Sequence, residues 1–290
     1  TAAAPSAAEL DALLGDRPAY LTRVDLHSAL ASSGLRRRVP ELARPAASAN
    51  TDRCPATPPP DPRRRRDLLT STQRAAARAA ALAAAAAAGI VAVHECAGPD
   101  IGGLDDWREL RAEQSGVEVI GYWGEAVTSP ARARELIAET GAHGLAGDLF
   151  IDGALGSRTA WLCEPYADAP ECVGNCYLEP EAITAHVRAC TQAGVTAGFH
   201  VIGDAAVSAA VAAFERVVEE LGVAAVARCG HRLEHVEMVT AEQAARLGAW
   251  GVVVQHPSPT STPRWGGADG MYAQRLGMIE VDPLKSSLRC

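Results

Sequence analysis

Lysine is almost missing from this 290-residue sequence: of its 27 basic residues only Lys285 is a lysine, and the other 26 are arginines. Any chemistry that needs a lysine inside the fold has one residue to draw on. Long apolar runs are missing too. The longest, Ala79 to Val93, is 15 residues of mostly alanine, short of the roughly 20 that span a bilayer, so no membrane-crossing helix is expected. The opening TAAAPSAAEL has no basic stretch followed by an apolar one, so it is not expected to be a secretory signal. It also begins without methionine, so further residues are expected ahead of it. Eight cysteines are too few for a disulfide scaffold. Cys172 and Cys176 form a C-x3-C with no second pair at zinc-site spacing, and read as loop cysteines rather than a zinc or disulfide site. Neither G-x-G-x-x-G nor G-x-x-x-x-G-K-[ST] occurs, so dinucleotide and P-loop folds have no fingerprint. The net charge of −8 argues against a nucleic-acid partner, and a cytoplasmic location is expected.

What is present is enough for a large core: 48% of residues are hydrophobic and 21% charged, which excludes a disordered chain. Residues 1–45 hold one readable stretch, AYLTRVDLHSALASSGL, expected as a short strand running into a helix. Residues 46–67 carry five prolines between Pro55 and Pro62, then Arg63–Arg66, and read as a solvated linker or long loop. From residue 68 to 290 helical and strand-like runs alternate. LLTSTQRAAARAAALAAAAAAG, built on the strongest helix former, stops at Gly89 and feeds IVAVHEC. PEAITAHVRACTQAG starts on proline and stops on glycine. Six strands are expected, near residues 90–95, 117–122, 147–152, 195–200, 230–235 and 250–256, and this alternation means α/β with a parallel sheet.

Polar residues cluster at the ends of those strands: His94 and Glu95, Asp148 and Asp152, His200, His235, and Gln255 with His256. An open sheet would decorate one or two strands at its topological switch, whereas a barrel decorates most of them. The expectation is therefore a partial (β/α)8 TIM barrel with about six of its eight strands. His200 and His235 each end an apolar strand, one βα unit apart, so their imidazoles should be neighbours on the rim. Such a pair suits a divalent metal such as zinc, the alternative being a hydrogen-bonded rim. Asp148 and Asp152, four apart in GDLFIDG, would share a face on a strand. Asp148 is then a candidate ligand, or the partner of an arginine. Asp152 is a candidate catalytic group beside the glycine-rich GALGSRT, or a turn-stabilising carboxylate. One of His94 and Glu95 should face the interior and the other the helices. His231 should share a side with His235, opposite Glu234, and Asp204 either backs a ligand or caps the next helix, with capping favoured.

FHVIGDAAV followed by HRLEH resembles the paired H-x-I-G-D-x-A and R-x-E-H motifs of the amidohydrolase superfamily, in its amidohydrolase-3 branch with the N-substituted formamide deformylase-like proteins. GDLFIDGALGSRTA is similar to the K-L-F-x-D-G-x-x-G-S-R-T-A segment of that branch, and YLTRVDLHSALASS to D-G-H-x-x-x-x-N-S, with Leu26 for glycine and Ser32 for asparagine. IVAVHEC resembles its G-I-T-S-V-H-D/E strand. The resemblance implies a metal-dependent barrel in which His200 and His235 bind metal, one or two ions in a complete member. Asp148 then stands where a carboxylated lysine is frequent, and a metal-activated water attacks a non-peptide C–N carbonyl. It also implies that Arg158, His27 and His94 line the substrate. The first-strand H-x-H and last-strand aspartate of the superfamily are absent, so an incomplete chain is expected, with a catalytically inactive binding homologue as the alternative. The partner implied is a small amide-type molecule, with a homo-oligomer left open.

Overall fold

The computed structural model describes residues 6–22, 29–39, 69–256 and 271–276. The linker expected at 46–67, with Arg63–Arg66, lies outside them, as do His27 and Lys285. In the N-terminal part, α1 (Ala7–Leu14) precedes β1 (Tyr20–Thr22), which pairs antiparallel with β2 (Ala29–Ala31) ahead of α2 (Ser33–Arg38). The single strand expected there is thus two. Ser32 caps α2: its hydroxyl accepts from the backbone N–H of Ala19 at 2.9 Å and Leu35 at 3.2 Å, and donates to the Arg17 carbonyl. A serine at this position is therefore a helix cap.

The main body begins with α3 (Ser71–Ala87), started by a reciprocal Thr70–Gln73 capping box and closed just before Gly89 at φ 78°. Then β3 (Ala92–Ala97), α4 (Gly103–Arg111), β4 (Glu118–Trp123), α5 (Pro130–Thr140) and β5 (Gly144–Leu145) follow. After a long loop come α6 (Pro180–Ala193), β6 (Thr196–Val201), α7 (Asp204–Leu221), α8 (Val223–Arg228), β7 (Arg232–His235), α9 (Ala241–Ala249), β8 (Val253–Gln255) and α10 (Met271–Leu276). The six strands β3 to β8 are parallel and lie side by side in chain order. An order without reversal is the wall of a barrel, not a doubly wound sheet. The result is a curled arc of α/β units, a partial TIM barrel with six strands, as the sequence led one to expect.

The register shows which side chains face outward. Ala97 and Trp123, Leu145 and Ala197, and Phe199 and Leu233 are paired neighbours, and all six are buried in the core beneath the helices. There they meet Ile183 and Val187 of α6 and Val207, Val211 and Phe214 of α7. On β4, Gly121 faces α4 so closely that a Cβ would lie 1.7 Å from the Trp107 ring, while the Trp107 indole donates to the Thr140 carbonyl at 2.9 Å. On the same outer side His231 is fully buried: its Nδ1 accepts from Ala197 N–H at 2.8 Å and its Nε2 meets Thr191 Oγ1 at 2.9 Å. His186 is buried likewise, accepting from Val127 N–H and meeting the Leu145 carbonyl, each at 3.0 Å. Among the described residues no helix is long and apolar enough to cross a membrane.

One strand is displaced from its expected place. The segment that pairs with both neighbours is Gly144–Leu145, not 147–152. Gly147 at φ 85° turns the chain out of the extended conformation. Beyond it, only Phe150 bridges to β6, through Leu149 and Ile151 on either side of His200. Asp148 and Asp152 consequently do not share a strand face.

Candidate functional site

By alternation, the residues opposite the core line the concave side of the arc: His94 and Cys96, Tyr122, Gly198 and His200, and Arg232 and Glu234. This settles the His94–Glu95 pair. His94 is on the concave side, and Glu95 lies beneath α4, where burial and then Asp106 push its carboxyl up. His200 pairs in register with Glu234, and His235 with the core residue Val201, so backbone register alone would send His235 outward with Leu233. His235 instead has φ 72° and Val236 has φ 50°. That left-handed turn breaks the alternation, and the His235 ring stands edge-on to His200 with centroids 4.5 Å apart. The two imidazoles are neighbours at the strand ends. The side expected for His231 fails for the same reason: it keeps the regular alternation and stays in the core.

Around this pair, His200 Nε2 is 3.0 Å from the Gly153 carbonyl and its ring leans on Phe150. His256 Nδ1 lies 2.8 Å from the His235 carbonyl, which ties the end of β8 to β7. Asp148 follows β5. Burial, then Glu95 and Glu234, push its carboxyl up to about 7. Every charge acting on it is negative, which a cation would relieve.

Asp152 has another role. It is fully buried, and both carboxylate oxygens receive backbone N–H groups: Ile202 at 2.9 Å on Oδ1, Gly203 at 2.7 Å and Trp161 at 2.9 Å on Oδ2. Burial raises its carboxyl to about 8 while these three donors pull it down. Asp152 fixes the 153–161 loop to the β6–α7 turn, which is the turn-stabilising alternative, and leaves no free oxygen for catalysis. Asp204 belongs to the same lock. It accepts from Cys163 N–H and Ala205 N–H, each at 3.0 Å, one residue inside the start of α7; it neither caps as Ncap nor backs His200. Arg158 is not turned to the histidines: its guanidinium forms a two-pronged bond to Asp168 at 3.0 and 2.8 Å, and Arg275 joins the same carboxylate. Cys176 is not in a disulfide, so Cys172 and Cys176 are not bonded to each other.

One concave-side residue escaped the sequence reading. Arg232 is buried and forms a fork with Glu234, Nε–Oε1 2.5 Å and Nη2–Oε2 3.0 Å. Its guanidinium carbon stands 4.3 Å over the Tyr122 ring. Alternation within HRLEH was the available signal, because it places Arg232 with Glu234 and away from His231.

The donor set is of the right chemistry for a divalent ion: two imidazoles side by side and a carboxyl whose charge burial opposes. It is not a full shell. Among the described residues no group of three or more His, Cys, Asp or Glu side chains is placed to hold a metal, and catalytic zinc takes three protein ligands.

Comparison with known proteins gives the context. The amidohydrolase family profile matches residues 1–287. Protein LONG AFTER FAR-RED 3 of Arabidopsis thaliana is 31% identical over 104 residues, 36% of this chain and 17% of that protein. Two solved structures superpose on nearly the whole chain. An uncharacterized metal-dependent hydrolase from Pyrococcus furiosus has a TM-score of 0.59 at 23% identity, covering 94% of this chain and 56% of its own. One from Pyrococcus horikoshii has a TM-score of 0.60 at 21% identity, covering 93% and 53%. At these identities the likeness establishes the fold, and this chain spans little more than half the length of either.

Proposed function

The chain belongs to the amidohydrolase family, and on that premise we propose that it serves as a metal-dependent hydrolase of non-peptide C–N bonds, with amide or formamide-like substrates. The observation that carries the reading is the convergence of His200 and His235, 4.5 Å between ring centroids, achieved by a left-handed turn at His235 that strand geometry would not produce. A non-glycine residue in that conformation is uncommon, and such strain concentrates at functional sites.

In this reading His200 and His235 would hold a divalent ion, zinc being a metal suited to imidazole, and Asp148, which is not grouped with them among the described residues, is the proposed carboxylate ligand. When bound, the ion supplies an activated water for attack on a carbonyl. The chain's own residues do the rest. The Gly153 carbonyl and Phe150 orient the His200 ring. The Asp152 lock fixes the loop that carries Gly153. Asp148, whose carboxyl is pushed up by burial and by Glu95 and Glu234, is a carboxylate that a cation would stabilise. Arg158, which is engaged by Asp168, has no place in this set.

The test is a screen of N-substituted formamides and neutral cyclic amides with zinc present. We expect hydrolysis that falls at least 100-fold in His235→Ala and in His200→Ala. Hydrolysis unaffected by both substitutions would overturn the assignment.

A further inference from the structure

Arg232 reaches across the arc, from β7 to the first strand of the series, and its Nη1 lies 2.7 Å from His94 Nδ1. A guanidinium has donors and no acceptor, and it does not lose its proton in proteins. The bond therefore uses the Nδ1 lone pair of His94, and the ring proton must sit on Nε2. The arrangement is fixed from three sides. Glu234 holds the fork of Arg232 at 2.5 and 3.0 Å, Tyr122 lies under the guanidinium at 4.3 Å, and the same Tyr122 ring stacks on His94 at 5.7 Å. Among the described residues Nε2 of His94 has no partner, and the side chain stands exposed on the concave side.

We propose that Arg232 is a positioning residue that holds His94 as its Nε2–H tautomer, so that His94 presents a hydrogen-bond donor to a carbonyl oxygen entering the arc. Arg232 and Glu234 cancel each other's charge, so the Nε2–H of His94 is an ordinary neutral donor, suited to a carbonyl oxygen. The choice of amide rests on the function proposed above, whereas the Arg232–His94 pairing stands without it.

Two measurements separate the parts. The first is the two-bond 1H–15N spectrum of histidine-labelled protein, with His94 assigned by its loss in His94→Gln. Wild type should show a single tautomer, Nε2 protonated and Nδ1 shielded by an accepted hydrogen bond. Removing Arg232 alone would leave Glu234 buried without a cation, so the variant combines Arg232→Met with Glu234→Gln. In it the Nδ1 shielding should disappear and the two nitrogens should move toward a tautomer average. An Nδ1–H or doubly protonated ring in wild type, or an unchanged ring in the variant, overturns the positioning role. The wild-type spectrum decides alone if the variant does not fold. The second is binding of N-methylformamide, followed at the His94 position. Glutamine places an amide N–H where Nε2 was, and asparagine places one where Nδ1 was. Binding kept in His94→Gln and weakened at least tenfold in His94→Asn supports the donor; equal binding in both refutes it. A wild type with the expected tautomer that does not bind the amide refutes the amide reading and leaves the pairing supported.

Discussion

At Asp152 one carboxylate takes three backbone N–H groups from two segments. Deleting it strands all three in a dry environment, and a buried unsatisfied donor costs about 1–3 kcal/mol. Asp152→Ala should therefore lose roughly 3 kcal/mol or more by urea denaturation, and a loss under about 1 kcal/mol would refute the lock. Burial pushes the His186 ring down from 6.5 to about 4, and does the same to His231 with the His186 charge adding to it. Both are neutral in the fold, so the unfolded chain takes up their protons first as pH falls. Their contribution is complete above pH 6.5 and is lost between 6.5 and about 4, on the order of 3 kcal/mol per ring. Asp148 and Asp152, raised to about 7 and about 8, act in the opposite sense, losing stability as pH rises. The histidine part must be read as a difference. His186→Gln, which still accepts from Val127 and donates to Leu145, should be less stable than wild type at pH 7, and the gap should close by pH 4. A gap constant with pH would contradict this. The rim histidines were legible as residues, since HVIGD and HRLEH end apolar runs. For Asp152 the sequence left two roles open and for Arg158 it gave the wrong surroundings, because their partners, Gly203 and Asp168, are set by loop folding that no spacing encodes.

Helices were the most legible elements. α6 runs from Pro180 to the left-handed Gly194, and α3 ends just before Gly89, where the proline and glycine signals put them. α3 exposes most of its alanines and buries only Leu82. Its anchor is Arg78, which reaches Asp106 at 3.2 Å and Glu109 at 2.9 Å on α4 and Glu113 at 3.4 Å just past its end. Strands were less legible, β5 least, because a two-residue strand, Gly144–Leu145, carries no period. One close contact between a helix and the sheet is also sequence-silent: Gly121 leaves room for the Trp107 ring. Gly121→Ala should force the ring off the strand and cost roughly 1–3 kcal/mol, with the Trp107 fluorescence changed. Wild-type stability in that variant would mean that the ring does not lie there.

As a whole the molecule is an arc with two ends. Among the described residues β3 and β8 each have one strand neighbour, and Val91 and Val253 near them are 78% and 53% exposed. The alternation of strands and helices, the polar strand ends and the motif resemblance all converged on this architecture from sequence. The inward turn of His235 did not, since φ 72° at a histidine has no sequence signature and reverses what alternation would give. That turn is the central physical claim, because it turns two strand-end histidines into a pair. The most direct test is the divalent metal content per chain, by elemental analysis of purified protein dialysed against zinc, for wild type, His200→Ala and His235→Ala. The account predicts near-stoichiometric metal in wild type and loss in both variants. Folded wild-type protein without metal, or metal retained in both variants, would contradict it and favour a binding role for the arc.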